Sequence, residues 1–220
     1  MSTAAAIRID FVSDVTCPWC AIGLNALERA IERVGDEVAV ELHFQPFELN
    51  PQMAPEGEDA AEHLAAKYGL SPEQLARNRE LLRERGEAVG FTFGERTRVY
   101  NTFDAHRLLD WAGAQSADRQ RALKHALLHA YHGEGRDMSS HDVLVEVAAG
   151  IGLDADAARA VLASDAHAEA VRRQQRLYAG RGIQAVPSVI FDDQHLVQGG
   201  QPVEVFEQAL RQLAKLAHTA

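Results

Sequence analysis

The sequence predicts an α/β domain interrupted by a long helical block, and three observations predict it. A strand, a helix and a second strand succeed one another between Ile7 and Phe44. A run of helix-forming segments fills the middle of the chain, and a hairpin followed by a helix closes it.

The first strand is Ile7–Ser13, Ile-Arg-Ile-Asp-Phe-Val-Ser, which alternates and then turns wholly apolar, as a strand entering a core does. Ala21–Val34 sets Ile22, Leu24, Leu27, Ile31 and Val34 at helical spacing and stops at Gly35. Val38–Phe44 alternates again and predicts the second strand. A βαβ unit of this length implies parallel strands joined by a right-handed crossover.

Between Glu58 and Arg181 the spacing of apolar residues predicts helices near 59–68, 72–89, 102–112, 117–132, 140–149, 155–163 and 166–181. Ser71-Pro72-Glu73-Gln74 carries the start of one of them, with Ser71 as N-cap, Pro72 in the first turn and Gln74 completing a capping box. On that helix Arg77, Arg79, Arg83 and Arg85 alternate with Glu80, Glu84 and Glu87, which reads as a solvated face rather than an anion site. No internal repeat is visible, which disfavours a solenoid. After Pro187, Ser188–Phe191 and His195–Gln198 flank Asp192-Asp193-Gln194 and predict a hairpin. Gly199-Gly200 ends it. Pro202 then opens a helix whose apolar face is Val205, Phe206, Leu210, Leu213 and Leu216.

The 220 residues, 46% hydrophobic and 25% charged, suffice for a sizeable core and exclude intrinsic disorder. No stretch approaches the ~20 apolar residues of a membrane span, so no membrane partner is expected. The start, Met1 to Asp10, lacks a basic segment followed by a long apolar run, so no secretory leader is expected. A net charge of −10 with no compensating basic segment opposes phosphate-backbone binding, and nucleic acid is not an expected partner.

The two cysteines, Cys17 and Cys20, stand together as Cys-Pro-Trp-Cys. A disulfide across so short a separation closes almost no loop and stabilises little. Structural zinc needs further ligands that the chain does not offer as a second Cys-x-x-Cys or Cys-x-x-His pair, so no metal site is expected. A redox pair or two core thiols at helical spacing remain. Pro18 favours the pair, because proline inside a helix costs ~3 kcal/mol whereas at the first helical position its missing N–H costs nothing. With Cys17 at the N-cap, the amides of Trp19 and Cys20 should point at its sulfur, and the helix end should favour thiolate over thiol. Cys17 is then the nucleophile. Cys20, one turn on and deeper, is the resolving thiol.

These features resemble the thioredoxin superfamily, and within it the DsbA-type thiol–disulfide oxidoreductases, specifically the cytoplasmic FrnE-like branch. Phe47-Glu48-Leu49-Asn50-Pro51, Asn101 to Leu108, and Gly182 to Ser188 carry the resemblance beside Cys17–Cys20, and it extends from about Ile7 to Leu216. It implies a thioredoxin-like domain from residues 1–57 and 182–220, with an inserted helical domain at 58–181 whose last helix packs on the sheet. It also implies that Pro187 is a cis-proline facing the thiols, with Val186 beside them able to pair with an extended substrate strand. Read without the resemblance, Pro187 merely starts an edge strand. Asn50 and Pro51 are candidate substrate-binding residues by the same resemblance. The implied partners are protein thiols and disulfides or glutathione, the last as a co-substrate with no tightly bound cofactor, in a cytoplasmic monomer or homodimer. Two departures stand out. Trp19 occupies a place where secreted DsbA proteins carry histidine, and the helical block exceeds theirs.

Asp14 has two open readings, as a group that tunes or deprotonates a thiol and as a strand-end turn residue. His125, His129 and His132 form one helical stripe, read as a partly exposed face rather than a metal site. Asp104 and His106 are expected to cap or pair locally. The alternative function, from the similar kappa-class glutathione transferases and 2-hydroxychromene-2-carboxylate isomerases, would use glutathione with Ser in place of Cys17. A redox-inert peptide-binding module is the third.

Overall fold

The computed structural model describes residues 6–219, with side chains described as far as Leu216. Met1–Ala5, where the leader expectation begins, and Ala220 lie outside the described residues. β1 (Ile7–Ser13) leads into α1 (Pro18–Val34) and β2 (Val40–Pro46). Beyond the helical block the chain returns to the central sheet, whose order is β2-β1-β5-β6, with β5 at Ser188–Phe191 and β6 at His195–Gln198. β2 runs parallel to β1, and β5 and β6 run antiparallel to their neighbours.

The alternation of β1 assigns the two faces of this sheet. Ile7, Ile9 and Phe11 meet Val189 and Phe191 of β5 and Phe44 of β2, and the same core takes in α1 with Val203, Phe206 and Leu210 of α9 (Val203–Thr219). Phe11 lies opposite Phe44 in the register, and their rings meet edge to face at 6.0 Å. The other face carries Val12 and Ile190, covered by Tyr178 of α8 (Ala168–Gly180) and by Ile183. The last helix of the block thus packs on the sheet.

Between β2 and α8 lie α2 (Ala60–Tyr68), α3 (Pro72–Ala88), α4 (Phe103–Gln115), α5 (Ala117–His132), α6 (His141–Gly150) and α7 (Ala155–Leu162). Their ends agree with the periodicity to within a few residues, and the capping box at Ser71 and Gln74 is formed. The arginines of α3 are exposed. A second core joins α4 to α7 and includes Leu108, Leu127, Tyr131 and Leu144. The two cores interlock: Leu128 of α5 belongs to the sheet core, and Val15, just after β1, to the helical one.

Two expectations need correction. β2 begins at Val40 rather than Val38, because a 3-10 turn at Gly35–Glu37 holds the Val38 amide on the Gly35 carbonyl and delays pairing. It then continues to Pro46, where a missing N–H is harmless on an edge strand. A two-residue ribbon, β3 (Glu58–Asp59) against β4 (Arg98–Val99), was not anticipated, since two residues carry no periodicity. No helix is long and apolar enough to cross a membrane among the described residues.

Candidate active site

β1 ends in a tight turn, with the Cys17 amide 3.3 Å from the Asp14 carbonyl, and α1 starts at once. Cys17 is the N-cap, with extended backbone, and Pro18 occupies the first turn. The thiol does not cap the helix as the spacing suggested. The Cys20 amide is taken by the Cys17 carbonyl at 3.0 Å, and sulfur is a weak acceptor. The Cys17 thiol instead donates toward the Val186 carbonyl, with Sγ 3.6 Å from the oxygen. Both thiols are free.

Cys17 retains 4% of its exposure and Cys20 none. Burial pushes the Cys20 thiol well up, and the neighbouring Cys17 sulfur adds to this, against the pull of Lys124 and the Asp14 backbone. The pair is therefore unequal, with Cys17 keeping a trace of exposure and Cys20 fully enclosed.

The Val186–Pro187 peptide bond is cis. Pro187 is buried and Val186 half-buried, and the Pro187 carbonyl accepts the Gly199 amide at 2.8 Å. Gly199-Gly200 then lies against the first turn of α1. A Cβ on Gly200 would stand 3.0 Å from the Trp19 carbonyl oxygen, and one on Gly23 would stand 3.1 Å from Pro187 Cγ. These two glycines let three segments close around Trp19, which is half-buried.

Asp14 is sealed beneath the turn. Its Oδ2 accepts the Leu49 amide at 2.8 Å and the Thr16 hydroxyl at 3.1 Å, and its Oδ1 lies 3.4 Å from His106 Nε2. Burial pushes its carboxyl up, but His106, the Leu49 amide and Thr102 outweigh this and hold it down at about 2. It is thus both a turn residue and a buried anion. His106 does not pair locally, because its ring points inward from α4 and Nε2 also meets the Phe47 carbonyl at 2.9 Å. Asp104 does pair locally, with Arg107 at 2.7 Å.

Asn50 and Pro51 follow the segment that Asp14 anchors. Asn50 Oδ1 accepts from Lys67 Nζ at 2.5 Å and lies 3.1 Å from His63 Nε2. Pro51 is exposed and borders a cleft with Phe47, Glu48, Arg172 and Gln175, where Glu48 Oε2 accepts from Arg172 at 2.5 Å and from Gln175 at 2.8 Å. Tyr68, at the end of α2, is exposed, and its hydroxyl is pushed up by partial burial and by the charge of Cys17.

The histidine stripe splits. His125 reaches Glu28 of α1 at 2.8 Å and His129 reaches Glu134 at 3.2 Å, whereas His132 is buried and not on an exposed face. Its ring packs edge-on to Tyr131, Phe93 and Phe91 at 4.7, 5.5 and 6.3 Å. Lys124 and Leu128 lie buried on the same inward side of α5 as His132. Lys124 keeps 1% of its exposure, and its charge is felt by Cys20, Asp14 and Cys17. The sequence held a signal for it: Lys124 lies one turn from Leu127 and Leu128, on the apolar face of its helix.

The model of the DSBA-like thioredoxin domain matches residues 8–211. The crystal structure of the probable DsbA oxidoreductase SCO1869 from Streptomyces coelicolor is 37% identical, covers 94% of this chain and 89% of its own, and superposes with a TM-score of 0.85. A 2-hydroxychromene-2-carboxylate isomerase shares the fold at 17% identity, covering 96% of this chain and 98% of its own, with a TM-score of 0.73. So does the cytosolic disulfide reductase DsbM from Pseudomonas aeruginosa, solved with GSH, at 19% identity over 94% and 99% of the two chains and a TM-score of 0.64. The chain belongs to the DSBA-like thioredoxin domain family.

Proposed function

We propose that the protein is a thiol–disulfide oxidoreductase that exchanges dithiol for disulfide with protein or small-thiol substrates through Cys17 and Cys20. The inequality of the two sulfurs carries the reading. Cys17 stands at a helix N-terminus and keeps a trace of exposure, and Cys20 is fully enclosed with its thiol pushed up. Cys17, as thiolate, attacks one sulfur of a substrate disulfide; the substrate S–S bond breaks, its other sulfur departs as thiolate and a mixed disulfide forms. Cys20 then attacks Cys17 Sγ, the internal disulfide forms and the substrate leaves as thiolate. The half-buried Val186 backbone, with its carbonyl already turned to Cys17, is proposed to align an extended substrate segment, and Asn50, Pro51 and Tyr68 to border it.

Glutathione is proposed as a small-thiol partner and the cytoplasm as the setting. The likeness to a cytosolic DsbM solved with GSH supports both. Substitution tests the function. Cys17→Ser should abolish disulfide exchange, whereas Cys20→Ser should accumulate mixed disulfides visible by mass spectrometry. Glutathione-dependent turnover that survives Cys17→Ser, with Cys20→Ser silent, would move the reading to an isomerase or transferase.

A further inference from the structure

We propose that the cleft between the end of β2 and α8 receives a lysine or arginine side chain of a protein disulfide substrate, with Glu48 as its anionic partner. The inference rests on the dithiol-exchange reading and gives that reaction a preference among protein substrates.

The strand register places the cleft. Pro46 of β2 lies opposite Ser13 of β1, and the neighbouring Val12 lies opposite Ser188 of β5. Phe47 therefore leaves the sheet at the end where Val186 approaches it, two strands away, or about 10 Å at ordinary strand spacing. Cys17 follows β1 at this end, with its thiol toward the Val186 carbonyl. Open α/β sheets bind their ligands outside the carboxyl ends of the strands, and the cleft lies there. Phe47 and Val186 also pack on one cluster, that of Val12, Tyr178, Ile183 and Ile190. An extended substrate advances ~3.3 Å per residue, so three residues from the reacting cysteine span the distance to Phe47.

The cleft holds about 190 Å³, small beside the ~300–1,000 Å³ of ordinary ligand pockets, and suits one long side chain. Its walls are Phe47, Glu48 and Pro51 from the segment after β2, and Arg172, Gln175 and Ala179 from one stripe of α8. Phe47, Pro51 and Ala179 offer apolar surface to the methylene stem of a basic side chain. Glu48 supplies the charge. Its side chain keeps 3% of its exposure, and Oε2 accepts from Arg172 Nη1 at 2.5 Å and from Gln175 Nε2 at 2.8 Å. Oε1 is buried with no hydrogen-bond partner among the described residues. A buried acceptor left empty costs free energy that an incoming donor recovers. Arg172 differs, because its guanidinium stacks on the Phe103 ring at 3.8 Å and its side chain is 41% exposed, so water serves its other N–H groups. The unmet need is therefore on the carboxylate, and the cleft calls for a cation rather than an anion. A carboxylate has lone pairs enough for two cations, one on each oxygen. Sharing requires a shift, and Arg172, with its half-exposed end, is the side chain able to make it. The net charge of −10 draws the same class of partner.

Synthetic cysteine peptides blocked as mixed disulfides with nitrothiobenzoate measure the preference. They carry lysine, norleucine or glutamate three residues before and after the cysteine. Cys17 thiolate attacks the peptide sulfur, the Cys17–peptide disulfide forms, and the coloured nitrothiobenzoate leaves as thiolate. At limiting peptide the native protein should release colour from the lysine peptide at least about fivefold faster than from the norleucine peptide. The glutamate peptide should be the slowest. In Glu48→Gln the lysine and norleucine rates should converge, and a ratio taken within one variant is indifferent to any overall loss of activity. In Arg172→Gln the carboxylate loses its internal cation, and the ratio should rise above the native one. This second variant keeps the proposal open to refutation if Glu48→Gln does not fold. Equal lysine and norleucine rates in the native protein, a native ratio in either variant, or a preference for glutamate would overturn the proposal and leave dithiol exchange standing. Absence of colour release from every peptide would overturn the exchange reading itself, and the proposal with it.

Discussion

His106 Nε2 lies 3.4 Å from Asp14 Oδ1, and both side chains are closed to solvent. The histidine comes from α4 of the helical block and the aspartate from the turn that delivers Cys17. Nε2 is nearer to the Phe47 carbonyl, at 2.9 Å, and Asp14 Oδ1 makes no well-directed hydrogen bond. Through this histidine the insertion, the segment after β2 and the nucleophile's turn become one packed unit. The active site is therefore built by both cores.

Asp14 should make the protein's stability depend on pH in acid. Its carboxyl is held at about 2 against an ordinary 3.8, so protons bind the unfolded chain more readily. The stabilisation is complete above about pH 4 and is lost as pH falls through 2, and a shift of nearly two units corresponds to about 2 kcal/mol. Urea midpoints measured from pH 5 down to about 2 should fall more steeply for the native protein than for Asp14→Asn. Parallel curves would sink this account.

Most of the frame was legible because burial writes a period into the chain. Ile7, Ile9 and Phe11 alternate, Leu123, Leu127 and Tyr131 repeat each turn, and Ser71 with Gln74 announces a helix start. The cysteine pair was legible through Pro18, whose place only makes sense at a helix start. What escaped notice depends on contacts distant in sequence. His106 meets Asp14 across the domain, and no local rule separates it from a capping residue. Lys124, Leu128 and His132 face inward, whereas the more conspicuous His129 is exposed and His125 is half-buried against Glu28 of α1, because a residue type says less than the face it occupies. Gly200 looked like a hairpin break, and only the packed structure shows that it lies against Trp19.

His132 should impose a second pH dependence, at higher pH. Burial, reinforced by the charge of Arg96, holds its imidazole well below the ordinary 6.5. It stays neutral in the folded state where the unfolded chain takes up a proton. Stability should accordingly be complete above pH 6.5 and fall below it, by up to about 1.4 kcal/mol per pH unit. His132→Phe suits the aromatic surroundings of Phe91, Phe93 and Tyr131 and has no proton to gain. Its thermal midpoint should therefore vary less than the native one between pH 5 and 6.5. A variant that tracks the native slope would show that some other group sets it.

Two glycine-to-alanine changes should have opposite signs, and the sign reports how closely the Gly199-Gly200 turn is fitted to the thiols. At Gly180, the last residue of α8, an added Cβ meets nothing within 4 Å, and the backbone needs no positive φ. Alanine there reduces the freedom of the unfolded chain and should stabilise by about 0.4–1 kcal/mol. At Gly200 the added Cβ would lie 3.0 Å from the Trp19 carbonyl oxygen, 3.1 Å from Trp19 Cε3 and 3.6 Å from Ile22 Cγ2. The nearest of these atoms is backbone in the first turn of α1, between the two cysteines, and cannot swing aside as a side-chain end could. The turn has to withdraw instead, which strains the bond from the Gly199 amide to the Pro187 carbonyl. Crowding of this kind costs about 1–3 kcal/mol. Because Pro187 adjoins Val186, whose carbonyl faces Cys17 Sγ, the change should also alter the rate at which Cys17 is alkylated. Denaturant midpoints and iodoacetamide kinetics on the two variants measure both effects. If Gly200→Ala is as stable as Gly180→Ala and equally reactive, the turn is not packed against the active site in solution.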